Sequence, residues 1–73
     1  MPLGEELRRA RDEAGLNQEE VAHRAKIDRS YLSQLENDKK SPTLDLLFRV
    51  CRAIGVKTST LVARVERERP KKT

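Results

Sequence analysis

The stretch DRSYLSQLENDKK, residues 28–40, concentrates groups that hydrogen-bond in more than one direction. Arg29 offers a planar fork of five donors, Gln34 a donor and an acceptor, and Ser30 and Ser33 hydroxyls that do both. Leu32 and Leu35 recur among them at helical spacing, which places the polar groups on the outer face of a short helix. Chemistry of this kind recognises a patterned surface; it does not break bonds. Bond-breaking needs a nucleophile with a base, an acid–base pair or a metal set. His23 is the only histidine, and the sequence offers it no second ligand or acid–base partner. Cys51 is the only cysteine, so no intramolecular disulfide forms, and it falls on an apolar helix face. Gly4, Gly15 and Gly55 are too far apart to make a phosphate loop. The reading is therefore no enzyme, no cofactor and no metal.

Helices must hold that stretch in place. Leu3, Leu7, Ala10 and Ala14 recur on one face of a first helix, with Gly15 as its stop. In LNQEEV, Asn17 is a cap, Glu20 completes a capping box, and Leu16 and Val21 form a hydrophobic staple. A second helix then carries Val21, Ala22 and Ala25 inward. The same entry repeats at once: Ile27 precedes the cap Asp28, and Leu32 lies four residues beyond it. So short a link forces a sharp angle between the second and third helices, the helix-turn-helix arrangement. Ser41-Pro42 breaks the chain and Thr43 caps a fourth helix, with Leu44, Leu47, Val50, Cys51 and Ile54 inward and Leu46 and Phe48 flanking. Gly55 stops it. A cap at or near Thr58 opens a fifth helix bearing Leu61, Val62 and Val65. No alternating strand pattern is present.

The chain has 73 residues, which suits one small domain, here residues 1–66, followed by a basic tail over 67–73. The net charge of +4 is unevenly spread. Residues 1–23 carry six acids against three arginines, whereas residues 24–63 carry eight basic residues against four acids. An acidic end and a basic middle and tail point to an anionic partner met by one side of the molecule. No apolar run approaches the ~20 residues of a membrane span, and the N-terminus lacks a signal-peptide plan, so a cytoplasmic location is expected.

In GLNQEEVAHRAKIDRSYLSQLENDKKSPTLDLLFRVCRAIGV, the blocks LNQEEVA, SYLSQLEN, SPTLDLL and AIGV follow one another without a gap. Together they resemble the Cro/C1-type (Xre) helix-turn-helix domain of bacterial and phage regulators, over about Leu3 to Val65. The resemblance implies an all-α, five-helix, lambda-repressor-like fold whose third helix reads double-stranded DNA. It also implies that Arg11 pairs with Glu36. The family commonly has glycine where this chain has Lys26 and Asp38, so both positions are expected to need a left-handed backbone. Chain length and DRSYLSQLE are similar to the small controller proteins of restriction–modification systems.

On that reading the outer face of the third helix acquires an object. A helix fits the major groove, where base edges present distinct donor and acceptor patterns. Arg29 suits guanine, Gln34 adenine, and Ser30 and Ser33 either kind of base. Phosphate contacts are expected from Asn17 and Gln18 at the start of the second helix, from Tyr31, and from Asn37, Lys39 and Lys40 after the third. Val62 and Val65 widen the apolar arc of the fifth helix and suggest a homodimer interface, hence a near-palindromic operator. The competing reading is an antitoxin-type module that holds a protein partner and also binds its own promoter.

Overall fold

Five helices carry residues 3–68, the part of the chain that the computed structural model describes: α1 (Leu3–Glu13), α2 (Gln18–Ala25), α3 (Arg29–Glu36), α4 (Leu44–Ile54) and α5 (Thr58–Glu68). The described residues contain no strand. The expected tail therefore begins inside α5, and residues 69–73 lie outside the described part.

Each of the first four helices is followed within two residues by one with a left-handed backbone: Gly15 (φ 73°), Lys26 (φ 61°), Asp38 (φ 58°) and Gly55 (φ 95°). In each case the following amide reaches back five residues, as from Leu16 to Arg11, Ile27 to Ala22, Lys39 to Gln34 and Val56 to Cys51. Those bonds satisfy carbonyls that the helix end leaves open. Glycine takes this conformation freely, whereas a side chain adds about 1–2 kcal/mol of strain. Asp38 gains something in return. Its Oδ1 accepts the Gly4 amide at 2.9 Å, so the residue that stops α3 also holds the first turn of α1.

The N-terminal ends differ in quality. Asn17 Oδ1 accepts the Glu20 amide at 2.8 Å and Glu20 Oε1 accepts the Asn17 amide at 2.9 Å, closing the capping box on α2. Thr43 accepts the Leu46 amide at 3.1 Å on α4. Asp28 occupies the cap position of α3 but makes no side-chain cap bond. Lys57, not Thr58, is the cap residue of α5, since its carbonyl accepts the Leu61 amide. Asn17→Ala should therefore lower stability by about 1 kcal/mol in thermal unfolding, while Asp28→Ala should change it by a few tenths at most. Equal losses would mean that Asp28 caps in solution.

Leu7, Leu32, Leu35, Leu61, Val21, Val50 and Cys51 are wholly or almost wholly buried and form the core. Each large aliphatic side chain so buried contributes about 1.5–3 kcal/mol. Burial also pushes the Cys51 thiol up from its usual pKa, against a weaker opposing hydrogen bond with Thr58. Several residues depart from the sequence-based expectation. Leu44 is 64% exposed and Leu46 is buried, because the inward arc of α4 centres on Val50 and leaves Leu44 and Phe48 at its edge. Ala14 is exposed just beyond the end of α1. Glu6, although a carboxylate, is fully buried and bonded to Arg9 at 2.8 Å. It shares a helical stripe with Leu3, Leu7 and Ala10, on the helix that packs against both α3 and α5.

Candidate nucleic-acid interface

The third helix begins sharply because Ile27 is half-buried against the core and turns the chain by way of left-handed Lys26. Leu32 and Leu35 anchor one side of α3 against α1 and α2. That anchoring leaves Arg29, Ser30 and Gln34 exposed on the other side. Ser33 and Tyr31 are half-buried, and Tyr31 packs against the core. The Asn37 side-chain Nδ2 donates to the Ser33 carbonyl at 2.9 Å, alongside the backbone amide at 3.0 Å, closing the last turn of α3. Lys39 and Lys40 follow, both exposed, in the bend that leads to α4.

The two N-terminal ends meet. Arg29 from α3 lines an open cavity of about 500 Å³ with Asn17, Gln18 and Glu19 from the start of α2. One guanidinium thus stands beside the first turn of a second helix, where unpaired backbone N–H groups attract anions.

Behind this surface lies a buried ion pair. Arg11 Nε donates to Glu36 Oε2 at 2.7 Å and Nη2 donates to Oε1 at 3.0 Å, a bidentate arrangement. Nη1 donates to the Leu16 carbonyl at 2.9 Å and lies 3.5 Å from Asp12. Both side chains are almost excluded from water. The Glu36 hydrogen bond raises the Arg11 pKa above its usual value, against the opposing effect of burial. A third group completes the site, one that sequence reasoning missed. Gln18 Nε2 donates to Glu36 Oε1 at 3.0 Å. Expected to face a phosphate, Gln18 has a side-chain N–H committed inward, tying the N-terminal end of α2 to the C-terminal end of α3. Nothing in the spacing of residues 18 and 36 announces that contact.

The expected pairing surface is only partly open. Val65 is 5% exposed and belongs to the chain's own core, because it stands one turn beyond fully buried Leu61 on the same face of α5. It is not available to a partner. Val62 is half-buried at the margin of the core.

Among the described residues, no group of three or more His, Cys, Asp or Glu side chains could hold a metal ion. No helix among them is long and apolar enough to cross a membrane.

Comparison with known proteins follows the same outline. The helix-turn-helix family HTH_3 matches residues 7–61. The immunity repressor protein of Bacillus phage phi105 is 36% identical over 62 residues, 85% of this chain and 43% of that protein. The chain thus spans less than half of that relative. Control protein C.MunI of a Mycoplasma species is 33% identical over 67 residues, covering 90% of each chain. Among solved structures, the clp gene regulator ClgR from C. glutamicum superposes with a TM-score of 0.89 at 28% identity, over 96% of this chain and 91% of that one. The restriction–modification controller C.Esp1396I shares the fold, with a TM-score of 0.81 at 23% identity, over 90% of this chain and 87% of that one.

Proposed function

This chain belongs to the helix-turn-helix family of Cro/C1-type transcriptional regulators, and from that membership we propose that it reads a near-palindromic DNA operator as a homodimer. The observation that carries the reading is the exposure of Arg29, Ser30 and Gln34 on α3 while Leu32 and Leu35 fix its inner side. In this reading Arg29, Ser30, Ser33 and Gln34 meet base edges. Asn17, Gln18, Tyr31, Asn37, Lys39 and Lys40 meet phosphates, Gln18 with its remaining amide hydrogen. Val62 lies at the two-fold contact, and the two α3 helices stand about 34–36 Å apart, one turn of the duplex. The protein works in the cytoplasm, on the nucleoid. The narrower role is control of a restriction–modification operon, supported by the match to C.MunI over nine-tenths of both chains.

The test starts from an operator selected out of random duplex DNA, which should emerge as a near-palindrome. Arg29→Ala should then weaken binding by about 1–3 kcal/mol on that operator and by much less on a site where the contacted base pair is changed. Lys39→Ala should weaken all duplexes alike and reduce the salt slope by about one. If Arg29→Ala weakens every sequence equally, Arg29 clamps the backbone and does not read. Selection that yields no preferred sequence removes the operator-reading function altogether.

A further inference from the structure

The C-terminal turn of α2 and the second half of α4 enclose an open cavity of about 440 Å³. It is lined by Arg24, Ala25, Lys26, Arg49, Arg52 and Ala53, four cations and no carboxylate. Two of the guanidinium groups are held in place by backbone. Arg49 Nη2 donates to the carbonyls of Ala25 at 2.7 Å and Lys26 at 3.1 Å, and Arg24 Nη1 donates to that of Ala53 at 3.3 Å. Arg49 does this although Asp45 stands one turn before it on α4. None of the four cations forms an ion pair within the described residues, whereas Arg9, Arg11 and Arg64 each do.

Basic side chains complement the negative end of a helix, and that effect accounts for part of the cluster. Two helix ends together present about one negative elementary charge, so four cations leave a surplus of about three. Lys26 adds a separate observation. It holds a left-handed backbone at φ 61°, where glycine would be unstrained, and it lines this cavity.

We propose that this cavity is a phosphate-binding site distinct from the surface built on α3. Its ligand is a phosphate group carried either by the DNA backbone outside the major groove or by a free phosphorylated small molecule. Anchoring through Nη2 leaves Nε and Nη1 of Arg49 without a hydrogen bond among the described residues, and such planar donors match phosphate oxygens. Lys26 and Arg52 supply further positive charge around the bound group. The site does not depend on the reading of α3, and it can be tested without DNA.

The first experiment titrates the intact chain with inorganic pyrophosphate and follows NMR signals residue by residue. Saturable shifts are expected at Arg24, Lys26, Arg49 and Arg52, with affinity falling about five- to tenfold in Arg52→Ala. Lys26→Gly separates binding from folding: it should melt a few degrees higher and yet bind pyrophosphate more weakly. Unsaturable shifts spread evenly over all cations, Lys39, Lys40 and Lys57 included, would overturn the site. So would a Lys26→Gly protein that binds as tightly as the parent. A second arm identifies the source. If DNA provides the phosphate, Arg52→Ala loses affinity on a long operator duplex but not on a minimal one, with a salt slope reduced by about one. If a free ligand provides it, Arg52→Ala binds both duplexes as the parent does while its pyrophosphate affinity still falls.

Discussion

Arg11→Met should lower the stability of this domain by about 3–5 kcal/mol, because it strands a charged carboxylate in the interior. Glu36 is 3% exposed at its side chain, and both of its oxygens accept from Arg11. Without the guanidinium, only the Gln18 amide remains to it. Glu36→Ala should also be damaging, since Arg11 then keeps its charge with only the Leu16 carbonyl and the more exposed Asp12 carboxylate at 3.5 Å for company. A domain of this size has about 5–15 kcal/mol in all, so either variant would approach the point of unfolding. The double variant Arg11→Met, Glu36→Met should recover most of the loss, because a packed apolar pair replaces a buried ionic one at little net change. Urea midpoints at constant slope measure all three. Single losses below about 1 kcal/mol, typical of exposed pairs, would mean that water reaches this pair in solution.

Gly4→Ala should also be severely destabilising, although the same change inside a helix ordinarily stabilises by roughly 0.5–1 kcal/mol. A Cβ on Gly4 would collide with the Glu36 carbonyl oxygen and fall 2.6 Å from that of Leu35. Those atoms are backbone of α3 and cannot swing aside as a side chain would. The two helices must separate, which strains the Gly4 to Asp38 hydrogen bond and the Arg11–Glu36 geometry together. A loss of about 2–3 kcal/mol is expected, at the upper end for overpacking. Thermal unfolding measures it, and a neutral or stabilised Gly4→Ala protein would show that α1 can slide along α3 freely. The same variant should weaken operator binding beyond what its unfolded fraction explains, because α3 would be displaced.

Residues near one another in the chain made much of this architecture legible. The Asn17–Glu20 box, the Thr43 cap and the Gly15 and Gly55 stops each involve groups within a few positions, and all four form. The left-handed backbones at Lys26 and Asp38 were expected from the resemblance, through its glycines at those places. Reading Leu44 as inward failed because periodicity gives an angle around α4 and not the depth of cover over its first turn. Val65 was misread for a related reason, since a wide apolar arc on α5 can be covered by the chain itself. The Gln18–Glu36 bond spans eighteen positions, and the cavity joining Arg24 to Arg52 spans more. Both arise from helix packing, and sequence spacing carries no trace of either.

The shared carboxylate of Glu36 also bears on how the protein can change over generations. Through Glu36 and its guanidinium partner, α1, α2 and the turn at Leu16 are tied to α3, and losing either member of the ion pair is expected to bring the domain close to unfolding. A loss of that size would close most single-step routes away from the pair, so the frame constrains descent. Arg29, Ser30 and Gln34 stand outside it, exposed and with side chains that make no hydrogen bond among the described residues, so replacing them leaves the interior contacts in place. A lineage can therefore move to a new DNA sequence one residue at a time, on a scaffold that stays put.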